Sequence, residues 1–243
     1  NVQFHCQTHV TDWLDNNKKA NVELIKDVVS AGFKSISVGV ESFTDRVMNE
    51  PSLNKNGYTN KNARDVLDTM LANGIVPQVN VILGIPEYTP EDLLITANAA
   101  VEYLVKGCDL SVSRNVMALP GSPIYESGLY EVDYDTWTHP VTKKVMKIPY
   151  SIIPKDPLVA KAMEVFDTEA QKKLEEVKKR MNWINKTAPK RVIEIAALTC
   201  LPRLLNRDDL TPKYEKVLDD VLAGKYRQNA GASYDEIAGQ ESS

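Results

Sequence analysis

Cysteine is scarce in this chain. Only Cys6, Cys108 and Cys200 occur among 243 residues, scattered along its length. That excludes a disulfide framework and fits a reducing cytoplasm. Histidine is equally sparse. His5, His9 and His139 have no metal-ligand spacing, because an extended segment does not bring His5 and His9 together. No apolar run approaches the roughly 18 residues that a membrane helix needs. The opening Asn1-Val2-Gln3-Phe4-His5-Cys6 is no secretory signal. A surplus of positive charge is also missing: 29 basic residues face 33 acidic ones, for a net charge of −4. This balance argues against a nucleic-acid partner. The basic clusters Lys172-Lys173, Lys178-Lys179-Arg180 and Lys190-Arg191 read as the wet side of amphipathic helices.

What is present is a soluble, globular composition, 43% hydrophobic and 26% charged. The length suits one large domain or a domain with a helical extension. Residues 2–8 read as a short strand. Val22, Leu24, Ile25, Val28 and Val29 recur at helical spacing, and Ala31-Gly32 ends that helix. Residues 34–40 alternate and are rich in β-branched side chains, so they form a strand. Thr59 caps a helix that turns Ala63, Val66, Leu67 and Met70 inward, and Asn73-Gly74 stops it. Residues 76–83 are the next strand. Thr89-Pro90-Glu91-Asp92 begins a helix that Gly107 closes. Residues 109–119 complete a fourth strand.

The order is strand–helix three times over, then a strand. It predicts an α/β fold with a parallel sheet and right-handed crossovers. The expected architecture is part of a (β/α) TIM-like barrel over residues 1–126. An irregular connector follows over 127–156, with room for a hairpin. A helical region spans 157–226, with helices over 157–185, 191–206 and 211–223. Residues 227–243 are small and polar and read as a disordered tail. Parallel strands are normally covered on both faces, and the first strand leaves an open edge. The first residue is Asn, and the chain opens inside a strand. These features lead us to expect a piece of a longer protein, with missing strands or a partner covering the edge.

Two runs stand out: Ser35-Ile36-Ser37-Val38-Gly39-Val40-Glu41-Ser42, and Gln78-Val79-Asn80-Val81-Ile82-Leu83-Gly84-Ile85-Pro86-Glu87. Each is an apolar strand ending in glycine and a carboxylate, and a helix follows each. Strand C-termini of parallel sheets are where ligands bind, so both runs deliver polar groups to one mouth. With Cys6-Gln7-Thr8, Ala31-Gly32-Phe33, Asn54-Lys55, Asn73-Gly74-Ile75 and Leu119-Pro120-Gly121-Ser122-Pro123-Ile124-Tyr125, they occur in the order seen in a known family. From Val2 to Tyr125 the chain resembles the radical S-adenosylmethionine (radical SAM) enzymes, and most of all the group that often carries a cobalamin-binding or similar N-terminal domain.

The resemblance implies S-adenosylmethionine and a [4Fe–4S] cluster as cofactors. Cobalamin stays open, because such a domain would lie outside this chain. Glu41 and Ser42 would meet the ribose or methionine part. Ile82 would pack on the adenine face, and Gly84 would let backbone approach closely. Asn80 takes the place of the first glycine in the family's Gly-x-Ile-x-Gly-x-x-Glu pattern, and Glu87 supports the turn. Backbone groups near Met117 and Ala118 would meet the adenine edge. Arg114 would pair with the methionine carboxylate or form an ion pair at the rim. Gln7 and His9 would point toward a substrate. The family's Cys-x-x-x-Cys-x-x-Cys loop is absent, so the cluster ligands are expected upstream of this chain. The alternative is a cluster-less barrel serving as a binding or assembly subunit.

Overall fold

A computed structural model of the protein describes residues 5–183 and 187–226. Four strands form one parallel sheet in the order β1 (Gln7–His9), β2 (Ser35–Glu41), β3 (Val76–Gly84) and β4 (Asp109–Asn115). Helices α1 (Val22–Ser30), α2 (Asp45–Met48), α3 (Asn60–Ala72) and α4 (Pro90–Lys106) connect them. Among the described residues the sheet does not close into a barrel.

Local chemistry sets the helix ends. The Thr59 hydroxyl accepts from the Asn62 N–H while Asn62 Oδ1 accepts from the Thr59 N–H. Thr89 and Asp92 form the same reciprocal pair, with Pro90 in the first turn. Gly107 ends α4 at φ 108°, a left-handed conformation that suits glycine. Val38, Val40, Val79, Val81, Leu83 and Leu110 put one sheet face into the apolar core beneath α3 and α4.

Four expectations need correction. The fourth strand leaves the sheet at Asn115 rather than 119. Beyond it, Ile152 N–H donates to the Val116 carbonyl and Ala118 N–H to the Tyr150 carbonyl. The connector is not irregular throughout: after the short helix α5 (Pro123–Glu126), β5 (Val132–Thr138) and β6 (Val145–Ile152) pair as the antiparallel hairpin it had room for. The long helix, α6 (Pro157–Arg180), stops short of 185. Asn182, at φ 55°, takes the left-handed position, and Trp183 N–H reaches back to the Lys178 carbonyl. Ile184 and Asn185 lie outside the described residues. The predicted helix 191–206 is two pieces, α7 (Lys190–Leu198) and α8 (Leu201–Leu204), because Pro202 has no N–H to continue the ladder. A final helix, α9 (Thr211–Leu222), packs on α7. The expected disordered tail also lies outside the described residues.

Candidate functional site

Strand register sorts the candidate residues by face. His9, Gly39, Asn80 and Ser111 share one row across the sheet. Gln7, Ser37, Gln78 and Asp109 share the row on its amino-terminal side. Toward the carboxyl ends, Ile82 pairs with Ser113 and Gly84 with Asn115. Side chains two apart on a strand share a face, so this face is polar where the opposite one is aliphatic. Asn80 Nδ2 donates to Ser37 Oγ at 3.0 Å across it. Gln7 is exposed, and Ile82 is half-buried.

Glu41 lies above this face. The β2–β3 register shifts between Gly39 and Glu41, and Glu41 adopts φ 63°. Its carboxylate folds back over Gly39, where a Cβ would come within 2.8 Å of Glu41 Oε1. Lys55 Nζ lies 3.5 Å from the same oxygen. Burial pushes the Glu41 pKa up, and Lys55 partly offsets the rise. His9 stands beside them, its ring edge on Tyr58 at 5.1 Å and its Nδ1 2.7 Å from the Thr11 hydroxyl. Burial, then the Lys55 charge, lowers the His9 pKa. Lys55 had no role in the sequence beyond its place in a short motif. Its partner arrives only through the fold.

Ser42 points elsewhere. Its fully buried hydroxyl accepts from Tyr88 Oη at 2.7 Å and from the Thr44 N–H at 3.0 Å. Tyr88 Oη also lies 2.7 Å from Thr96 Oγ1. Glu87 ties down the turn after β3. It accepts from Tyr130 Oη at 2.5 Å and from the Ser52 hydroxyl, with Lys155 Nζ at 3.5 Å. At Gly84 a Cβ would fall 2.1 Å from Asn115 Oδ1 and 2.6 Å from the Arg114 carbonyl. The close approach there is made by β4 itself. Asn115 was missed in the sequence, because only the strand register sets it beside Gly84.

Arg114 is not brought together with Asn80 and Ile82, because strand alternation turns it to the other face of β4. Its guanidinium meets Asp167 at 3.0 Å and lies 5.8 Å from the Tyr150 ring centroid. It lines a cavity of about 650 Å³ with Asn115, Ser151, Ile153, Pro157 and Met163. At Met117 and Ala118 the backbone flanks β6. The two bonds around the Met117–Ser151 pair leave the N–H and C=O of Met117 turned away from the hairpin. Cys108 is buried, and burial raises Cys6 and lifts Cys200 to about 11. Among the described residues, no three His, Cys, Asp or Glu side chains group as metal ligands.

No family model and no curated protein matches the chain. Solved structures do. The apo form of OxsB, a cobalamin-dependent S-adenosylmethionine radical enzyme, aligns with 98% of this chain and 40% of its own, at 15% identity and a TM-score of 0.56. OxsB with aqua-cobalamin bound aligns over 98% and 45%, at 13% identity and a TM-score of 0.54. The chain shares its fold with a radical SAM enzyme. TsrM from Kitasatospora setae, a radical S-adenosylmethionine methyltransferase, gives a TM-score of 0.48 at 14% identity, over 88% of this chain and 45% of its own. The chain spans less than half the length of these solved proteins.

Proposed function

We propose that this chain supplies the S-adenosylmethionine-binding part of a radical SAM enzyme's (β/α) barrel. The observation that carries this reading is the polar face of the sheet, with Glu41 poised over Gly39 beside Asn80. Asn80 and Glu41 would meet ribose hydroxyls or the amino group of methionine, and the half-buried Ile82 would lie against adenine. The outward N–H and C=O of Met117 would read the adenine edge, with Ala118 holding that segment on β6. Ser42 and Gly84 act one step back, fixing the strand ends through Tyr88 and Asn115. Gln7 and His9 lie on the substrate side of the same face.

In the intact enzyme a [4Fe–4S] cluster, held by cysteines outside this chain, would cleave the cofactor reductively to a 5′-deoxyadenosyl radical. The chain's own cysteines do not fit that cluster. Cys6 precedes β1, Cys108 precedes β4 and Cys200 precedes α8. Cluster iron needs clustered thiolates, so no step through it is assigned to residues here. Cobalamin, which OxsB binds, is likewise assigned no residue.

The test is 5′-deoxyadenosine formation by the full-length, anaerobically reconstituted protein. Product above background, lost in Asn80→Ala, is the expected result. No product would remove the reading. The cysteine placement favours one rival, a cluster-less binding or assembly subunit, which predicts no 5′-deoxyadenosine and a stable complex with a partner at the β1 edge.

A further inference from the structure

The β5–β6 hairpin stands clear of the body: residues 133–138 and 145–148 are all exposed. Residues directly opposed on an antiparallel pair share a face, as do residues two apart on one strand. The register Trp137↔Met146 and Asp135↔Ile148 therefore sets these four side chains on one face. His139 and Lys144 join them, because the His139 N–H donates to the Lys144 carbonyl at 2.9 Å where the turn begins. The ring contact of Trp137 with His139, at 5.4 Å between centroids, agrees. Trp137, Met146 and Ile148 are 41%, 37% and 42% exposed. The opposite face is polar at its centre, where Thr136 pairs with Lys147. A two-stranded ribbon is marginally stable alone in water, and an uncovered apolar row rimmed by charges marks a contact surface.

We infer that this face docks on the same face of a second copy of the chain, with the two hairpins running in opposite directions. The charges select the occupant. Lys144 and His139 lie at the tip end of the row and Asp135 at the base end, each two residues from the Trp137–Met146 pair and so about 7 Å from it along the ribbon. Neither Lys144 nor Asp135 forms a salt bridge among the described residues. A twofold axis crossing the strands at that pair, in the plane between the faces, brings opposite charges together. Trp137 and Met146 meet their own counterparts at the axis. Lys144 and His139 of each copy come over Asp135 of the other, and symmetry makes the contact twice. His139 suits that place even when neutral. Its Nδ1 accepts from the Val141 and Thr142 N–H groups, which leaves the proton on Nε2 as a donor. Hairpins running in the same direction would instead crowd the cations of both tips together and set Asp135 over Ile148. The inference uses none of the residues assigned to the cofactor.

The experiment is sedimentation equilibrium on the full-length protein from about 1 to 100 μM. A monomer–dimer equilibrium within that range is expected. Trp137→Ala should weaken it about tenfold or more. Lys144→Asp and Asp135→Lys should each weaken self-association by about the same factor, because each leaves like charges facing one another. An equimolar mixture of these two variants should dimerise within a few-fold of wild type, since one then carries carboxylates and the other ammonium groups at matching places. Thermal melts confirm that each variant folds. A monomer throughout the range overturns the inference, whether solvent or another part of the same polypeptide covers the face. A dimer indifferent to all three substitutions also overturns it, by placing the contact elsewhere. So does a mixture that associates no better than the single variants, because the charges then do not face each other as the reversed hairpins require.

Discussion

Gly84→Ala should destabilise the protein far more than a single methyl group normally does. Gly84 has no left-handed φ, so alanine meets no backbone penalty there. The cost is steric. The new Cβ would sit 2.1 Å from Asn115 Oδ1, 2.6 Å from the Arg114 carbonyl oxygen and 3.0 Å from Met163 Cγ. Asn115 can rotate away, at the loss of its 3.4 Å bond to Ser151 and about 0.5–1 kcal/mol. The carbonyl cannot rotate. It moves only if β4 moves, and overpacking of this kind costs about 1–3 kcal/mol. The sum is about 1.5–4 kcal/mol, a large part of the roughly 5–15 kcal/mol that holds a domain together. Urea denaturation followed by far-UV circular dichroism measures it. In a double-mutant cycle, Gly84→Ala in an Asn115→Ala background should recover only the rotatable share and still cost about 1–3 kcal/mol. Gly84→Ala within about 0.5 kcal/mol of wild type would refute the steric argument. Full rescue by Asn115→Ala would refute the claim that the strand backbone sets the limit.

Three further predictions probe the same mouth. Gly39→Ala should cost under about 1 kcal/mol, because its close neighbour at 2.8 Å is the movable end of Glu41, yet it should disturb the Glu41–Lys55 pair. Chemical denaturation checks the first half, and the Lys55 side-chain NMR shift the second. Tyr130→Phe removes the 2.5 Å bond to the nearly buried Glu87 carboxylate, so it should lower stability by about 1–2 kcal/mol and speed proteolysis at the hairpin base. Glu41 has a raised pKa in the fold. Its share of stability is therefore full below the ordinary carboxylate value of about 4.3 and is lost as pH rises through the raised one. Glu41→Gln should thus gain on wild type between about pH 4 and pH 7, and a gain that shrinks over that span contradicts the shift.

Helix boundaries set by local chemistry were legible. Thr59 with Asn62, Thr89 with Asp92, and Gly107 act within a few residues, and each is readable as a pattern. Ends set by distant pairing were not. Residues 116–118 have the same strand-like composition as β4, and only the arrival of Tyr150 and Ile152 shows that they belong to the hairpin edge. Two local signals were available but outweighed by apolar periodicity. Asn182 takes the left-handed position that ends α6, and Pro202 splits the helix expected over 191–206. The site followed the same rule. Alternation within β3 put Asn80, Ile82 and Gly84 on one face, but only the β3–β4 register shows Arg114 on the other. The register shift at the end of β2, which lifts Glu41 over Gly39 and sends Ser42 inward to Tyr88, follows from no sequence pattern.

The two glycines of the polar face differ in what fills the space beside them. A parallel sheet normally buries both faces, and here one face is closed by aliphatic side chains under α3 and α4. The other face cannot close by apolar packing, because Ser37, Gln78 and Asp109 are buried on it as polar groups. At Gly84 the neighbouring strand already occupies the gap, so a ligand gains nothing from the missing side chain. At Gly39 the occupant is a carboxylate on a flexible arm, desolvated and paired with a lysine at 3.5 Å. A ligand that supplies hydroxyls or an ammonium to that carboxylate relieves its desolvation and claims the space above the backbone. The end of β2, rather than the end of β3 at Gly84, is therefore where the fold leaves room for chemistry.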